Sequence, residues 1–371
     1  MNVVQPAYGE GAISDVLPSV LAALGVPGRP DVLGLPARRS YCVLLVDGLG
    51  WRQLRDNASW APFLSSLPGR AVTATVPSTT ATSITSLGTG LPPGRHGLVG
   101  YQSRIPGRNT LLNALDWDPT VDPEQYQPYP TLLAQARADG VATTVVSQRR
   151  FARSGLTRVA LSGVRYTPAD TAGERVAAVL AALDAAEGAP ALVYAYDGDL
   201  DGTGHRHGTD ADAWRYQLAV VDSLAEQLAA ALPPGAALLV TGDHGMVDVG
   251  AEDQVDVEAI PGLDRDVQLV GGEPRFRQLY VATGRAGEVA RRWATALPGQ
   301  ALVRTRDQAV SDGWFGPVEA RVADRFGDVL VACLGHTVLL APSIWPREAR
   351  MRGHHGSLTE AEMLVPCIVA A

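Results

Sequence analysis

Five continuous apolar runs are the feature of this 371-residue sequence that most constrains its fold. Helical stretches lie between them, for example at 172–187 and 211–232. Continuous apolar strands that alternate with helices are typical of a mostly parallel sheet covered by helices on both faces. The sequence therefore predicts an α/β fold of that kind. The runs are 41–48, 141–147, 191–198, 236–245 and 363–370.

The segment from about 255 to 345 has shorter apolar stretches, with one predicted helix near 285–297. We interpret it as a small α+β insertion that forms a cap, because the last apolar run has to return to the main sheet. The predicted organisation is a core at 1–254 and 346–371 with the cap at 255–345. We also expect an amphipathic helix near the N-terminus and a surface loop in the Pro-rich stretch 118–130.

Composition excludes several classes of protein. A formal net charge of -8 and a pI near 5.4 argue against a basic nucleic-acid-binding surface. No apolar run approaches the ~20 residues that span a bilayer, so we expect a soluble protein without a membrane partner. The oligomeric state is not defined by the sequence. Three widely separated cysteines in apolar runs suit reduced thiols and a cytoplasmic location; they are Cys42, Cys333 and Cys367.

Asp and His residues recur at the ends of apolar runs, far apart along the chain. Two neighbouring divalent cations are tolerated only where several carboxylates reduce their repulsion and neutral imidazoles complete the coordination. A mixed Asp/His cluster therefore predicts the two-metal centre of a hydrolase. The candidate ligands are Asp47, Asp201, His205, Asp243, His244 and His355.

Local sequence around these residues suggests how the backbone presents them. Asp201 and His205 enclose two glycines, which favours a tight turn over a helix. Asp243 and His244 would point to opposite faces of a regular strand. Flanking glycines, Gly242 and Gly245, are expected to let the backbone leave strand geometry there, so we predict a strand end.

Residues 76–97 are crowded with hydroxyl groups. Such a run beside Pro77 predicts a loop that enters a helix N-terminus, where Ser and Thr cap free amides. The same position suits a phosphate held beside an attacking alkoxide. The chemistry alone does not choose between Ser78, Thr79 and Thr80 as the nucleophile.

Five motifs in order resemble those of the alkaline phosphatase superfamily, specifically its type I phosphodiesterase/nucleotide pyrophosphatase branch. They are LLVDGLG, a Thr followed by TG..P..HG, D..GH..G, GDHGM and HHG, and they extend from about 41 to 370. In that branch the nucleophilic Thr precedes the TG by a fixed interval, and counting back from Thr89-Gly90 gives Thr80.

The resemblance implies two metal sites, usually filled by zinc, although an Asp/His shell also accepts manganese or iron. One site would comprise Asp201, His205 and His355. The other would comprise Asp47, Asp243, His244 and the Thr80 oxygen.

The chain departs from the branch near the substrate. Tyr101 stands where the phosphodiesterases place an Asn that contacts the phosphoryl group, and Ala81, Thr82 and Ser83 replace the residues after the nucleophile. Tyr101 is therefore a candidate substrate-binding residue, with a core aromatic as the alternative. A phenol occupies more space than an amide, so the substrate class is open.

Other polar residues near these motifs have simpler expected roles. We expect His207 to be a loop histidine, His354 to be a neighbour of the ligand His355, and His96 to pack or hydrogen-bond near the nucleophile helix. His336 is expected to be incidental, and Asp197 or Asp199 to hydrogen-bond a ligand. Candidates to meet substrate anions, with surface solvation as the alternative for each, are Arg95, Arg149, Arg150, Arg275 and Arg352.

Together these observations predict a two-metal hydrolase of a small phosphorylated substrate. The expected type is a phosphodiesterase/nucleotide pyrophosphatase that forms a covalent phosphothreonine. A phosphomonoesterase or phosphonate hydrolase on the same metal core is the first alternative, and a mutase-like phosphoryl transferase is the second. A silent binding protein is disfavoured because no ligand position is degraded.

Overall fold

The computed structural model describes residues 3–371 and shows seventeen strands among them. They are β1 Ser40–Val46, β2 Gly69–Thr73, β3 Gln102–Arg104, β4 Leu111–Asn113, β5 Ala142–Ser147, β6 Arg165–Pro168, β7 Ala191–Asp197, β8 Ala236–Gly242, β9 Val247–Asp248, β10 Gln254–Asp256, β11 Val267–Glu273, β12 Phe276–Val281, β13 Ala301–Thr305, β14 Val329–Cys333, β15 Val338–Leu340, β16 Gly353–His354 and β17 Leu364–Ala370.

The α-helices of this part of the chain differ widely in length, from a single turn to twenty residues. They are α1 Val16–Ala23, α2 Trp51–Asp56, α3 Pro62–Ser66, α4 Thr80–Thr89, α5 Pro93–His96, α6 Pro123–Tyr126, α7 Leu132–Ala138, α8 Gly155–Ala160, α9 Ala172–Asp184, α10 Asp199–His207, α11 Asp212–Ala231, α12 Ala286–Ala296, α13 Arg306–Ser311, α14 Ala320–Ala323 and α15 Glu360–Met363.

The central sheet has the strand order β2-β17-β8-β1-β7-β5-β6. Strands β8, β1, β7, β5 and β6 are mutually parallel, and β17 runs antiparallel to both β8 and β2. Every residue of β1 is buried, as expected for a strand with apolar layers on both faces. The predicted mostly parallel α/β sheet is confirmed.

The two faces of the sheet belong to separate apolar layers. Alternate residues of β1 point to opposite sides: Tyr41, Val43 and Leu45 join one layer, and Cys42 and Leu44 join the other. Helices α1, α4, α7 and α8 cover the first face, whereas α2, α3, α9 and α11 cover the second. Helix α4, which begins at Thr80, is thereby held against the sheet.

The ladder register aligns the carboxyl ends of the central strands. Val46 of β1 lies opposite Asp197 of β7 on one side and Gly242 of β8 on the other. The residues that follow these positions therefore emerge at one edge of the sheet, where ligands collect in such folds.

A second, four-stranded antiparallel sheet, β11-β12-β14-β13, forms within the segment predicted as a cap. Helix α12 packs on one face through Val289 and Trp293. Residues of the other face, including Phe276 and Leu330, join the same apolar layer as α4. The segment is therefore packed continuously with the main sheet. The division at 255 and 345 stays a prediction.

Smaller predictions are also resolved by the structure. The N-terminal helix is present as α1, and residues 1 and 2 lie outside the described part. The stretch 118–130 is not wholly a surface loop, because it contains α6, and Tyr126 and Gln127 are buried. All three cysteines are free and buried. Between residues 3 and 371, no helix has the length and apolar character needed to cross a membrane.

Candidate metal centre

Asp47 and Asp243 are neighbours at the carboxyl edge of the sheet, because each follows the last residue of its strand. The backbone N–H of Gly48 donates to Asp243 Oδ1 at 3.0 Å and ties the two loops together. Gly48 adopts φ +74°, and a Cβ there would lie 3.0 Å from Asp201. The left-handed turn at Gly48 therefore lets the loop that begins at Asp47 approach Asp201 closely.

The predicted strand end before Asp243 is confirmed, since β8 stops at Gly242. The two glycines serve this strand end through close packing and not through a left-handed backbone. Neither Gly242 nor Gly245 has a positive φ. A Cβ on them would lie 2.2 Å from the Leu49 oxygen and 2.0 Å from the Ala361 oxygen. Gly242 and Gly245 therefore allow the backbone at Leu49 and Ala361 to approach closely. This close packing positions Asp243.

Asp201 and His205 lie on helix α10, so the predicted tight turn is wrong. The spacing i, i+4 places both side chains on one face of a helix, and His205 Nε2 is 3.3 Å from Asp201 Oδ1. The helix therefore brings the Asp201 and His205 side chains together, as the tight turn was expected to do. Gly202 and Gly204 are tolerated in the helix, and Gly204 packs closely against Met246.

Three histidines present the same nitrogen to the centre. The Nδ1 atoms of His205, His244 and His355 lie 2.8–3.0 Å from the backbone oxygens of Gly353, Gly245 and Ser78 respectively. A carbonyl only accepts hydrogen bonds, so each Nδ1 carries the proton. In the neutral ring Nε2 then keeps its lone pair for a cation, as in metal-binding histidines.

Thr80 is the first residue of helix α4, and its hydroxyl faces the cluster. Its Oγ1 lies 3.2 Å from His244 Nε2 and 3.4 Å from Asp47 Oδ1. The Ser78 hydroxyl instead donates to the Ser357 oxygen at 2.7 Å. Of the candidates that residue chemistry left open, Thr80 is the one whose hydroxyl is shown to contact both an acid and an imidazole of the cluster.

The carboxylate oxygens and imidazole nitrogens of the cluster are suitable ligands for divalent cations. Ligand atoms of Asp47, Asp243 and His244 lie within 4.8 Å of one another, as do those of Asp201, His244 and His355. His244 is common to both groups, although the sequence assigned it to one site. Buried Asp201 Oδ1 and Asp243 Oδ2 have no hydrogen-bond partner among residues 3–371. Orphaned carboxylate oxygens are costly unless a cation compensates them.

Crowding of these charges shifts their proton affinities. Burial and the neighbouring Asp47 hold the pKa of Asp243 well above its usual value. Burial also opposes ionisation of Asp47, but the hydrogen bond and charge of His244 and the Tyr196 hydroxyl bring its pKa below the usual value. Burial and the charge of His244 hold the pKa of His355 well below its usual value. Bound cations would relieve the repulsion between the carboxylates.

Tyr196 is a residue of the site that the sequence analysis missed. Its hydroxyl donates to Asp47 Oδ2 at 2.5 Å, and its ring is largely buried at the end of β7. The available signal was its place in the strand. Tyr194 and Tyr196 are two residues apart and therefore point to the same face of β7, which neighbours β1, the strand that Asp47 follows.

Tyr101 lines a cavity together with Thr80, but it is only partly buried. Its phenol oxygen accepts from Asn113 Nδ2 at 3.2 Å, and its backbone N–H donates to Glu273 Oε1. It is therefore not a core aromatic. Its binding of substrate stays a prediction.

The remaining histidines mostly follow expectation. His96 contacts the Ser86 hydroxyl at 2.9 Å through Nε2 and accepts from the Leu98 N–H, so it supports the nucleophile helix. His354 is buried beside His355, and exposed His336 contacts the Asp248 carbonyl. His207 is the last residue of α10 and not a loop residue.

Several of the acidic and basic candidates form ion pairs or hydrogen bonds within the protein. Asp197 pairs with buried Arg175 at 2.8 Å and accepts from the Asp199 N–H, so its carboxylate is not shown to contact a ligand. Arg95 and Arg149 form surface ion pairs, and Arg150 lines the cavity. Surface solvation is wrong for Arg275, which is fully buried.

A cavity of about 500 Å³ opens over Thr80 and the cluster. Its lining combines the polar groups of the cluster with apolar and aromatic side chains. The latter include Ile84, Leu115, Phe151, Leu156, Leu161 and Tyr194. Such a cavity suits a small organic ester with an anionic group at the cluster.

Comparison with solved structures establishes the fold. Murine ectonucleotide pyrophosphatase/phosphodiesterase 5, in an inactive form with AMP, has a TM-score of 0.69 at 18% identity over 88% of this chain and 87% of that one. The human protein has a TM-score of 0.68 at 16% identity over 89% and 87%. Phosphonoacetate hydrolase from Sinorhizobium meliloti, with phosphonoformate, has a TM-score of 0.68 at 20% identity over 90% and 91%.

The sequence itself identifies the family. No protein with a curated description matches the chain. Residues 41–358 match the family profile described as type I phosphodiesterase / nucleotide pyrophosphatase. That span contains each of the Asp and His residues of the cluster together with Thr80. The chain therefore belongs to the type I phosphodiesterase/nucleotide pyrophosphatase family, whose enzymes act on phosphoric ester bonds.

Proposed function

We propose that this enzyme is a two-metal phosphodiesterase of the nucleotide pyrophosphatase type and acts through a covalent phosphothreonine at Thr80. The observation that carries the proposal is the Thr80 hydroxyl, 3.2 Å from His244 and 3.4 Å from Asp47, at the start of a helix and inside the cavity. A nucleophile, a charge-stabilising cluster and a substrate space coincide there.

Thr80 acts in two successive displacements. Its oxygen, after releasing a proton to solvent, attacks phosphorus, and the bond from phosphorus to the leaving-group oxygen breaks. The leaving group takes a proton from water. A water oxygen then attacks phosphorus, and the bond from phosphorus to the Thr80 oxygen breaks. The Thr80 oxygen takes a proton from the attacking water, and the phosphate monoester leaves. The first amides of α4 have no partner within the helix, so they are available to phosphoryl oxygens.

The proposed residents of the centre are two zinc ions, with manganese or iron as alternatives for the same oxygen and nitrogen donors. The proposed ligands are Asp201, His205 and His355 for one ion, and Asp47, Asp243, His244 and Thr80 for the other. When bound, the cations lower the proton affinity of the Thr80 hydroxyl and stabilise charge on phosphoryl oxygens. Elemental analysis of the purified protein tests the identity and number of the ions.

A diester is the proposed substrate because the cavity is lined by several apolar and aromatic side chains. Phe151 and Tyr194 are among them, and an organic group on phosphorus would be buried against such side chains. AMP is bound in the similar murine structure, which is consistent with a nucleotide-like ester. Phosphonate hydrolysis is the second candidate, because the bacterial phosphonoacetate hydrolase matches this fold equally well.

Replacement of the nucleophile tests the mechanism. Thr80→Ala should lower turnover of bis(4-nitrophenyl) phosphate at least roughly a thousandfold, because the activated hydroxyl is lost. Thr80→Ser is the matched control and should retain part of the turnover. Metal content and melting temperature should stay close to wild type. Full activity of the Ala variant would exclude this nucleophile.

A substrate comparison tests the reaction type. At saturating metal, bis(4-nitrophenyl) phosphate should be hydrolysed faster than 4-nitrophenyl phosphate. Faster monoester turnover would reject the diesterase assignment. Release of inorganic phosphate from phosphonoacetate, with little hydrolysis of either aryl ester, would favour the phosphonate candidate.

We further propose that residues 255–345 act as a cap that contributes Glu273 and Pro274 to the cavity wall. The cytoplasm is the proposed compartment, supported by the three buried and unpaired cysteines. Cell fractionation tests that location.

A further inference from the structure

Glu273 brings an additional carboxyl group from the second sheet into the cavity over Thr80. It is the last residue of β11, opposite Phe276 on β12, and only 3% of its surface is exposed. It lines the cavity together with Thr80 and Tyr101. None of the sequence motifs includes it, and the displacement steps above do not use it.

The two oxygens of Glu273 have different surroundings. Oε1 accepts a hydrogen bond from the backbone N–H of Tyr101 at 2.5 Å. Oε2 is buried and has no hydrogen-bond partner among the residues that the structure describes. A buried carboxyl oxygen without a partner is costly, so a group that enters the cavity can gain by satisfying it.

Neighbouring backbone holds this carboxyl in place. A Cβ on Gly100 would lie 3.4 Å from Oε1 and 3.5 Å from Oε2, and a Cβ on Gly356 would lie 2.9 Å from the Glu273 Cβ. The loop that precedes Tyr101 and the loop that follows His355 therefore both pack against the side chain.

No ion pair neutralises Glu273 within residues 3–371. Arg277 is a cation whose charge acts on Glu273. Its guanidinium is nevertheless engaged by Glu348 and by the carbonyls of Leu339 and Gly272. Burial raises the pKa of Glu273 to about 7, against the backbone N–H of Tyr101, the nearby Thr79 side chain and the charge of Arg277. A neutral carboxyl is a hydrogen-bond donor, and a buried acid in an active site can serve in that form.

We propose that Glu273 is a substrate-binding residue whose neutral carboxyl donates a hydrogen bond from Oε2 to a phosphoryl or phosphonyl oxygen of the group held at Thr80. This inference rests on the proposed function, since it requires a phosphorus oxyanion in the cavity. An ionised carboxylate would repel that anion in a poorly solvated site. With Oε1 already accepting from Tyr101, Oε2 is the atom that is free to donate.

Binding of inorganic phosphate to the zinc-loaded protein tests the proposal by calorimetry, about one pH unit below the Glu273 pKa of about 7. Glu273→Gln keeps an acceptor for Tyr101 and a donor at the Oε2 position, so it should bind phosphate within about threefold of wild type. Glu273→Met removes the donor and should weaken binding roughly tenfold, the usual effect of one hydrogen bond to an anion.

Three results would overturn the proposal. Equal losses in the Gln and Met variants would show that the carboxylate accepts from a substrate donor, and wild-type affinity in the Met variant would show a structural role. Tighter phosphate binding by the Met variant would show repulsion. If the Met variant does not fold, Glu273→Asp withdraws the carboxyl and should show the same tenfold loss.

Turnover measurements separate this proposal from the proposed function. A wild-type protein that binds phosphate with the predicted Glu273 dependence but hydrolyses no ester or phosphonate would refute only the enzymatic assignment. Thr80→Ala should lose turnover and retain the difference in phosphate affinity between Glu and Met at position 273. Metal content is measured for every variant, so that loss of cations is not mistaken for loss of a hydrogen bond.

Discussion

The buried ion pair between Arg275 and Glu362 predicts a large loss of stability when one partner alone is replaced. Both side chains are 0% exposed, and the guanidinium donates to the carboxylate through Nε at 2.7 Å and Nη2 at 2.8 Å. The carboxylate also accepts from the Ser357 N–H at 2.9 Å. The pair therefore joins the turn between β11 and β12 to helix α15, and Ser357 connects it to the loop that follows His355.

The expected magnitude follows from leaving one charge buried without its partner. Arg275→Met or Glu362→Leu should each lower the free energy of unfolding by about 3–5 kcal/mol. For 371 residues the unfolding entropy is about 0.8 kcal/mol per kelvin, so the melting temperature should fall by about 4–6 °C. The double variant leaves no isolated charge and should be more stable than either single variant.

Thermal unfolding followed by circular dichroism measures these effects, with urea titration as a second measurement. Asp56→Asn is the matched control, because it breaks an exposed pair with Arg52 and should change the free energy of unfolding by less than about 1 kcal/mol. The reasoning fails if Glu362→Leu is no more harmful than that control. It also fails if the free energy of unfolding lost by the double variant equals the sum of the losses in the two single variants.

Other buried titratable groups have effects that simple assays detect. Burial raises the pKa of the thiols to about 12 for Cys42 and Cys333 and about 11 for Cys367, so Ellman's reagent should react with none of them in the folded protein and with all of them in guanidinium. Reaction of a thiol in the folded state would contradict this. Burial and nearby arginines lower the pKa of His96 to about 3, whereas an unfolded histidine titrates near about 6.5. The unfolded state alone therefore gains a proton as the pH falls between these values, and stability should fall by up to about 1.4 kcal/mol per pH unit. His96→Asn should flatten that slope in urea titrations, and an unchanged slope would assign it to another group. Chelation by EDTA should lower the melting temperature, and zinc at a thousandfold excess over its Kd should restore about 4 kcal/mol; insensitivity to both would argue against a metal centre.

Much of the fold could be predicted because its signal is local. The run that becomes β1 is apolar at every position but the first, and this pattern suffices for a strand buried on both faces. The direction of β17 could not be predicted, because an apolar strand buries the same residues whether it runs parallel or antiparallel. The packing of the second sheet against α4 depends on contacts between distant segments, and no local pattern encodes them.

The same distinction applies to the site. Asp47 and Asp243 could be located because each directly follows a strand. Asp201 and His205 were placed on the wrong element, because the tertiary packing of α10 overrides the low helix propensity of its glycines. No sequence pattern identifies Glu273 as a cavity residue, since its position depends on how the second sheet packs against the main sheet.

The alignment of β1 with β8 has a consequence for how proteins of this kind diversify. Asp47 and Asp243 follow Val46 and Gly242, which are paired in that ladder. The distance between the two acids is therefore set by the strand separation of about 4.8 Å. No loop length enters that distance. Insertions around the cavity can therefore change which ester is admitted while the pair of acids keeps its spacing.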